Sequence, residues 1–351
     1  MKVIPPIAIT SITSSTVPEE VAATYNAGTT YAIGALVGLA SVYGDPQTVW
    51  RSLQNGNVGQ ALAEGAYWTN AGIVYPIYAS GSSCDLNDIV TDLANHDLYQ
   101  SLVAANTGNP LTDTTKWKYI GKTNRFRLFD YDRNNRTSVP LTFTVVFAPG
   151  KRIDSICLDG IQANSYTVTV TSVLGGGTIF TSTGSLNTRI VRTWYEHLTV
   201  PFTTQKSLNF FNIPPYTDCI VTVTLTATTG NAELAALGVG REVAFGQTQY
   251  SAISDILNFS TVDRDDEGNA ILVKRRNVPK SRQTVFCDKI AVNKIIETRD
   301  LLNAEPAFWY GIDNASDGYF EAVSMLGYYR DFSINLQYPE NVILNFELER
   351  V

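Results

Sequence analysis

Apolar and polar residues alternate with a period of two through the middle of the chain. The alternation is clearest at 141–147, 165–171 and 218–227, and Gly or Pro interrupts it about every ten residues. Such a period places the apolar side chains on one face of each strand, as in an antiparallel β-sandwich. The sequence therefore predicts a β-sandwich over residues 125–246.

The segment 247–351 combines strand patterns with one helix pattern. Apolar stretches at 248–262 and 270–278 flank an acidic turn, which predicts a hairpin with Gly268 and Asn269 at its tight corner. Asp288 precedes apolar residues at helical spacing, which predicts a capped helix over 288–303. Near-strict alternation returns at 341–350. We expect a C-terminal β-sheet domain with one α-helix.

The terminal strand pattern has one apolar face, which consists of Val342, Leu344, Phe346 and Leu348. We interpret this face as part of a subunit interface. The basic string 274–282 lies upstream, and we expect Arg275 and Arg276 to pair with carboxylates on a neighbouring copy. A plain solvated face is the alternative interpretation of the basic string.

The N-terminal part of the chain contains an internal repeat, because the sequence of segment 50–72 recurs in similar form at 99–121. Without a gap, Ser52 matches Ser101, Leu53 matches Leu102, Asn57 matches Asn106, Gly59 matches Gly108, Leu62 matches Leu111, Trp68 matches Trp117 and Gly72 matches Gly121. Each copy of a repeat is one supersecondary unit. The sequence predicts two small β modules in tandem over residues 25–124.

Aromatic side chains supply most of the bulk of these modules. The candidates for stacking on sugar rings are Trp50, Tyr67, Trp68, Tyr99 and Trp117. In so small a unit Trp68 and Trp117 have a second interpretation, which is that they fill the module cores, because aromatic residues contribute the largest burial per residue. Both interpretations stay open at this point.

Residues 1–24 are expected to form an extended arm. Pro5, Pro6 and Pro18 disfavour a helix, and the hydroxyl-rich sequence between them has no core of its own. Such an arm lies on a neighbouring domain or subunit. The arm and the alternating terminal strand lack obvious partners within the chain, so we expect a homo-oligomer.

Composition narrows the possible functions. Charged residues make up 17% of the chain, below the usual quarter, and the net charge is −7. An acidic chain has no general attraction for nucleic acid or for anionic membranes. Pro5 and Pro6 interrupt any signal-like apolar segment and no long apolar run follows, so we expect a soluble, unprocessed product without membrane insertion.

The sequence offers little material for catalysis or metal binding. The two histidines, His96 and His197, lie outside any metal-ligand spacing, and structural roles are expected for both. The four cysteines are far apart in the sequence, which favours buried free thiols and leaves a disulfide between Cys157 and Cys219 open. We predict no enzyme activity, no cofactor and no metal.

Two resemblances add to these predictions. Tyr31 to Val37, the aromatic-Ser-Leu strand, the Asn-x-Gly turn and the closing Trp resemble small chitin-binding carbohydrate-binding modules, with Ala35 and Asn87 departing from the opening Gly-Asp of that pattern. The segment 125–246 resembles jelly-roll, galactose-binding-like domains, and 247–351 resembles tail-tube and distal-tail modules.

The motifs at 119–130, 213–216, 238–241 and 328–339, taken with the repeats, resemble a family of tailed-bacteriophage virion proteins. The resemblance implies a structural subunit of the tail, baseplate or neck, assembled in the host cytoplasm with copies of itself and with other tail proteins. It implies no catalytic residues. The alternative is an adsorption protein that binds host surface polysaccharide through the tandem modules.

Overall fold

β-Strands account for most of the regular structure, which confirms the prediction of a mainly-β protein. The computed structural model describes residues 1–173, 175–189, 191–315, 317–336 and 338–351. In these residues no helix is long and apolar enough to span a membrane.

The sequence repeat is also a structural repeat. The strands of the first 124 residues are β1 (Lys2–Ile4), β2 (Ser14–Ser15), β3 (Ala23–Thr24), β4 (Leu36–Gly38), β5 (Gln47–Ser52), β6 (Trp68–Val74), β7 (Ile89–Asp92), β8 (Asp97–Ser101) and β9 (Trp117–Lys122). One sheet has the order β3-β4-β5-β6 and a second has the order β7-β8-β9. Strands β6 and β9 carry a bulge at the same position, at Ala71 and Ile120, opposite the steps that lead into Trp50 and Tyr99. We call the two sheets the first and second module.

The middle of the chain is an antiparallel β-sandwich, as predicted. After a 3-10 turn at Arg127–Phe129 the elements are β10 (Thr137–Phe147), β11 (Ser155–Asp159), β12 (Ser165–Thr171), β13 (Thr178–Ser185), β14 (Asn187–Thr188), α1 (Trp194–Thr199), β15 (Thr203–Thr204), β16 (Ser207–Phe210), β17 (Ile220–Leu234) and β18 (Ala236–Gly240). The sheet β13-β12-β17-β10-β2 faces the sheet β16-β11-β18. One buried apolar cluster joins the two sheets, with Phe143, Phe147 and Leu158 among its largest members.

The C-terminal domain is a sheet crossed by one principal helix. Its elements are β19 (Val243–Ala244), β20 (Gln247–Thr248), β21 (Ile253–Asn258), β22 (Thr261–Arg264), β23 (Ala270–Val273), β24 (Asn277–Asp288), a 3-10 turn (Lys289–Ala291), α2 (Val292–Leu301), β25 (Ala307–Tyr310), α3 (Phe320–Val323), β26 (Ser324–Asn335) and β27 (Asn341–Arg350). Asp288 caps the helical segment, since its Oδ1 accepts a hydrogen bond from the N–H of Ile290 at 3.0 Å. This confirms the predicted start of the helix.

The terminal strand lies inside the C-terminal sheet, which has the order β19-β1-β25-β26-β27-β24-β20. The apolar face of β27, formed by Val342, Leu344, Phe346 and Leu348, is buried against the chain's own core. The ring of Phe346 stacks on Phe245 with centroids 5.7 Å apart. This corrects our interpretation of these four residues as a subunit interface, because the strand already has a partner on each side.

The arm also has partners within the chain. β1 is held between β19 and β25, β2 pairs with β10 at the edge of the sandwich, and β3 pairs with β4 of the first module. The prediction that the arm lies on a neighbouring domain is confirmed. Both the arm and β27 are paired within the chain, so the absence of internal partners no longer supports the expectation of an oligomer.

A buried ion cluster joins the sandwich to the C-terminal domain. Asp159 of β11 pairs with Arg133 at 3.3 Å and with Arg350 of β27 at 3.2 Å. Its Oδ1 also accepts a hydrogen bond from the hydroxyl of Ser207 at 2.7 Å. Because these groups are largely removed from water, loss of the carboxylate would leave two buried guanidinium groups without their shared partner.

We expect Asp159→Ala to lower the free energy of unfolding by about 3–5 kcal/mol, because it breaks a buried ion network. Equilibrium denaturation in urea measures the change. Glu233→Ala is the control, because the Glu233 pair with Arg136 (3.2 Å) is more exposed and such pairs contribute up to about 1 kcal/mol. Equal losses in the two variants would contradict this assignment.

Candidate functional site

The two tryptophans that close the repeats fill the cores of the modules. The indole Nε1 of Trp68 donates a hydrogen bond to the carbonyl of Gln60 at 3.0 Å, and Trp117 donates to Asn109 at 3.1 Å. Both side chains are buried. The interpretation of Trp68 and Trp117 as core residues therefore holds, and they are removed from the candidate sugar-stacking set.

A tyrosine packs edge-on against each tryptophan and completes the core. The rings of Tyr25 and Trp68 have centroids 5.8 Å apart and planes at 89°, and Tyr78 and Trp117 show the same values. Each tyrosine hydroxyl donates at 2.7 Å to the carbonyl that also accepts from the tryptophan. The repeated residues thus build the same core twice.

The Asn-x-Gly turn of each module is a structural device. The Nδ2 of Asn57 donates to the Ser52 hydroxyl at 3.1 Å and to the Tyr67 carbonyl at 3.0 Å. In the second module Asn106 makes the equivalent bonds at 3.0 and 3.2 Å, to Ser101 and Lys116. A buried amide that ties a strand to its turn explains why this motif is repeated.

The departures from the chitin-binding pattern differ in their effect. Asn87 has φ 75° and Gly34 has φ 82°, so both residues adopt the same left-handed turn, which Asn tolerates. Asp88 accepts a hydrogen bond from the N–H of Asp85 at 2.6 Å, and Ala35 has no side-chain oxygen for this bond. The turn survives in both modules, whereas the carboxylate is present only in the second.

The remaining predicted aromatics lie at the surface of the modules. Tyr67 is exposed, and Trp50 and Tyr99 are half-buried. Tyr99 packs edge-on against Tyr119, with ring centroids 5.7 Å apart. Tyr119 is an exposed aromatic that our list of candidates missed, and burial together with nearby Asp97 raises its pKa to about 12. Strand alternation would place Tyr119 on the buried face of Trp117, and the bulge at Ile120 breaks that alternation.

A polar crevice lies where the two modules meet the arm and the sandwich. Its volume is about 360 Å³. The polar side chains that line it are Glu19, Asn70, Thr91, Thr123, Asn124, Arg127, Ser138 and Asn231, and Tyr75 adds an aromatic ring. This site was not predicted from the sequence, because its residues come from segments that are far apart along the chain.

Hydrogen bonds fix the walls of the crevice. Asn124 brackets the backbone of Ser138, donating to its carbonyl and accepting from its N–H, both at 2.9 Å. Asn231 donates from Nδ2 to the Ser138 hydroxyl at 2.9 Å. Burial lowers the pKa of Arg127, which donates from Nε to the Lys122 carbonyl at 3.2 Å. The crevice is therefore a pre-formed polar surface.

Glu19 anchors the arm at the floor of the crevice. The carboxylate accepts from the Thr123 hydroxyl at 2.6 Å and contacts His96 Nδ1 at 2.8 Å and Arg125 at 3.4 Å. The His96 ring stacks on Phe126 with centroids 3.6 Å apart. The predicted structural role of His96 is confirmed, since its ring joins the arm to the second module.

The second candidate surface is the protruding hairpin, which we define as β22, β23 and their turn (residues 261–273). The predicted tight turn is confirmed, because Asp265 accepts from the N–H of Asn269 at 2.6 Å and Gly268 has φ 87°. All strand residues are exposed on both faces, including Val262, Ile271 and Leu272. The hairpin is therefore an apolar surface without cover.

The predicted basic residues lie at the base of this hairpin. Arg275 and Arg276 are exposed, and Arg276 donates to the carbonyl of Val351 at 2.7 Å. The backbone N–H of Arg275 donates to the Ser260 hydroxyl at 3.0 Å. This contact marks the junction between the hairpin and the longer pair β21–β24. The structure brings the two arginines to the hairpin and away from the buried face of β27.

The described residues contain no metal-ligand cluster, and their cysteine thiols are buried. No group of three or more His, Cys, Asp or Glu side chains there is arranged to hold a metal ion. The cysteines Cys84, Cys157, Cys219 and Cys287 are free and buried, as predicted. Burial raises the pKa of the Cys157 thiol to about 12, which keeps it protonated at neutral pH.

The other histidine, His197, lies at the surface. Its Nδ1 is 3.0 Å from the guanidinium group of Arg189.

Comparison with known proteins gives one weak structural similarity. No protein-family model matches the chain, and no curated protein sequence matches it. A solved structure of a selenomethionine-labelled mutant of chitosan-binding module 1, derived from a chitosanase/glucanase of Paenibacillus sp. IK-5, aligns with 16% sequence identity and a TM-score of 0.23. The alignment covers 33% of this chain and 83% of that chain. At this TM-score the similarity establishes neither a shared fold nor a shared ligand.

Substitutions of the neighbouring residues Tyr67 and Trp68 test which of the two side chains belongs to the core of the first module. We expect Trp68→Ala to lower the free energy of unfolding of the first module by about 3–5 kcal/mol, because it removes a buried indole. Tyr67→Ala is the adjacent control, and its effect should stay within about 0.5 kcal/mol, as for an exposed side chain. Thermal unfolding measures both, and a larger loss for Tyr67→Ala would place that ring in the core.

Proposed function

We propose that the chain is a structural subunit of a bacteriophage tail that assembles with copies of itself. The observation that supports self-assembly is the protruding hairpin. A two-stranded hairpin on its own is at best marginally stable in water, and three or more strands or a packed face are needed for stability. Among the described residues the hairpin has neither a third strand nor a packed face, which favours a surface outside the chain as its cover.

The composition of the hairpin strengthens this proposal. Val262 and Leu272 are paired on one face of the hairpin and Ile271 lies on the other, and each exposes more than half of its surface. Phe259 and Ile256 are exposed apolar residues nearer to β21. Contiguous apolar surface of this kind marks interaction sites in soluble proteins. Open strand edges also invite pairing with another chain. The setting in a virion comes from the sequence resemblance, which implies contacts with other tail proteins and assembly in the host cytoplasm.

Removal of the hairpin tests self-assembly. Asn258 and Asn277 are paired directly across β21 and β24, so a two-residue Asn-Gly turn can replace residues 259–276 without changing the register. We expect this variant to fold and to be monomeric at concentrations where the natural chain is oligomeric. Light scattering coupled to size-exclusion chromatography gives the masses.

Thermal unfolding serves as the control for folding of the shortened chain, because the C-terminal core contains no residue of the deleted segment. A variant with an unchanged melting temperature and an unchanged oligomeric mass would remove the hairpin from the assembly surface. A natural chain that stays monomeric at every concentration tested would overturn the proposal of self-assembly.

Carbohydrate binding is the second candidate function, and the polar crevice favours it. Three amide side chains, one guanidinium group and an aromatic ring converge on a concave surface. Sites of this kind fix a ligand by a few placed polar groups, and a sugar offers hydroxyls for amides and an apolar ring face for Tyr75. Host surface polysaccharide is the ligand that the tandem modules and the virion setting suggest together.

A glycan array probed with the full chain tests this second function. We expect Asn231→Ala to weaken any binding by about tenfold, because it removes one hydrogen-bonding amide from the crevice. Asn134→Ala is the matched control, since Asn134 is an exposed amide in a turn that is not part of the crevice. Loss of binding in Trp50→Ala with Tyr99→Ala, and not in Asn231→Ala, would assign the sugar site to the module faces.

A further inference from the structure

Charge is distributed unevenly along the protruding hairpin. Asp263 of β22 and the turn residues Asp265, Asp266 and Glu267 carry carboxylates, which we call the acidic tip. Lys274, Arg275 and Arg276 follow β23 and form the basic base. At about 3.3 Å per residue along a strand, the turn carboxylates are roughly 20 Å from the base, and Asp263, which is paired with Ile271, is roughly 10 Å from Lys274. The apolar residues Val262, Ile271 and Leu272 lie between them.

The two ends of the hairpin do not neutralise one another. Among the ion pairs of the described residues, none involves Asp263, Asp266, Glu267, Lys274 or Arg275. The one cation in the tip, Arg264, donates to the Gly268 carbonyl at 2.9 Å. The separation of tip and base is greater than the Debye length of about 8 Å at physiological salt, so attraction within one hairpin is screened.

A surface that binds the hairpin must therefore have a cationic patch opposite the acidic tip, an anionic patch opposite the basic base, and apolar residues between them. A second copy of the hairpin, placed so that its tip meets the base of the first, supplies all three in the required order. Two copies aligned in the same direction would bring like charges together. Complementary charge of this kind fixes the register of a contact and rejects wrong alignments.

We propose that the protruding hairpin docks on a second copy of this chain, with the acidic tip of one copy against the basic base of the other. This inference rests on the proposed self-assembly and names its contact. Tip and base are different surfaces, so the contact closes either as an antiparallel pair about a two-fold axis or as a head-to-tail ring. Val262 and Leu272, which are paired and share one face of the hairpin, are covered on both copies in the same contact.

Charge reversal at either end tests the docking. The tip variant carries Asp263→Lys, Asp266→Lys and Glu267→Lys, and the base variant carries Lys274→Glu and Arg275→Glu. Asp265 is left unchanged because it holds the turn. Each variant alone should raise the dissociation constant of the oligomer at least tenfold, measured by analytical ultracentrifugation of the full chain. An equimolar mixture of the two variants should restore the association, because every tip then finds a base of opposite charge.

The matched control carries Lys151→Glu and Arg152→Glu, which make the same charge change as the base variant at an exposed loop of the sandwich. This control should associate like the natural chain. Association that resists both reversals, or a mixture that stays dissociated, overturns the tip-to-base contact while leaving self-assembly intact. A natural chain that never associates overturns the self-assembly itself. Circular dichroism and melting temperature confirm that each variant is folded.

Discussion

Main-chain hydrogen bonds of the first 24 residues hold the parts of this molecule together. β1 completes the C-terminal sheet, the N–H of Ile7 donates to Val239 of the sandwich at 2.8 Å, and β2 extends a sandwich sheet. The N–H of Ala22 then donates to the side chain of Gln47 in the first module at 2.7 Å. Because backbone donors and acceptors require no particular side chain in the arm, a segment rich in Ser, Thr and Pro can join three units. The arm therefore contributes to the position of the crevice, which it lines with Glu19, and to the sheet from which the hairpin extends.

The residues that recur between the modules are those that build them. Trp68 and Trp117 occupy equivalent cores, and their shared carbonyl acceptors and amide-tied turns agree closely in geometry. The surfaces differ, because Lys116 stands at the place of Tyr67 and Tyr119 at the place of Asn70. Internal repetition therefore marks the scaffold, and the chemistry available to a ligand has diverged between the two copies.

Patterns within a short segment predicted the local elements well. The hairpin at 265–269, the cap at Asp288 and the sandwich strands follow from turn residues, capping chemistry and a period of two, all of which act over a few neighbouring residues. Pairing between distant segments could not be predicted. Alternation in β27 shows that one face is apolar, but it does not show that β24 and β26 cover its edges. The crevice was missed for the same reason, since Glu19, Asn124 and Asn231 meet only in the folded chain.

The position of β1 also sets an order of folding. Val3 pairs with Trp309, so about 300 residues separate the two strands, and contacts of such long sequence separation form slowly. On the ribosome, the modules and the sandwich are complete while β25, β26 and β27 have yet to be made. The C-terminal sheet can close only after synthesis of these last strands. The hairpin extends from β21 and β24, so its base is fixed in the sheet only after β27 has been made and has paired with β24.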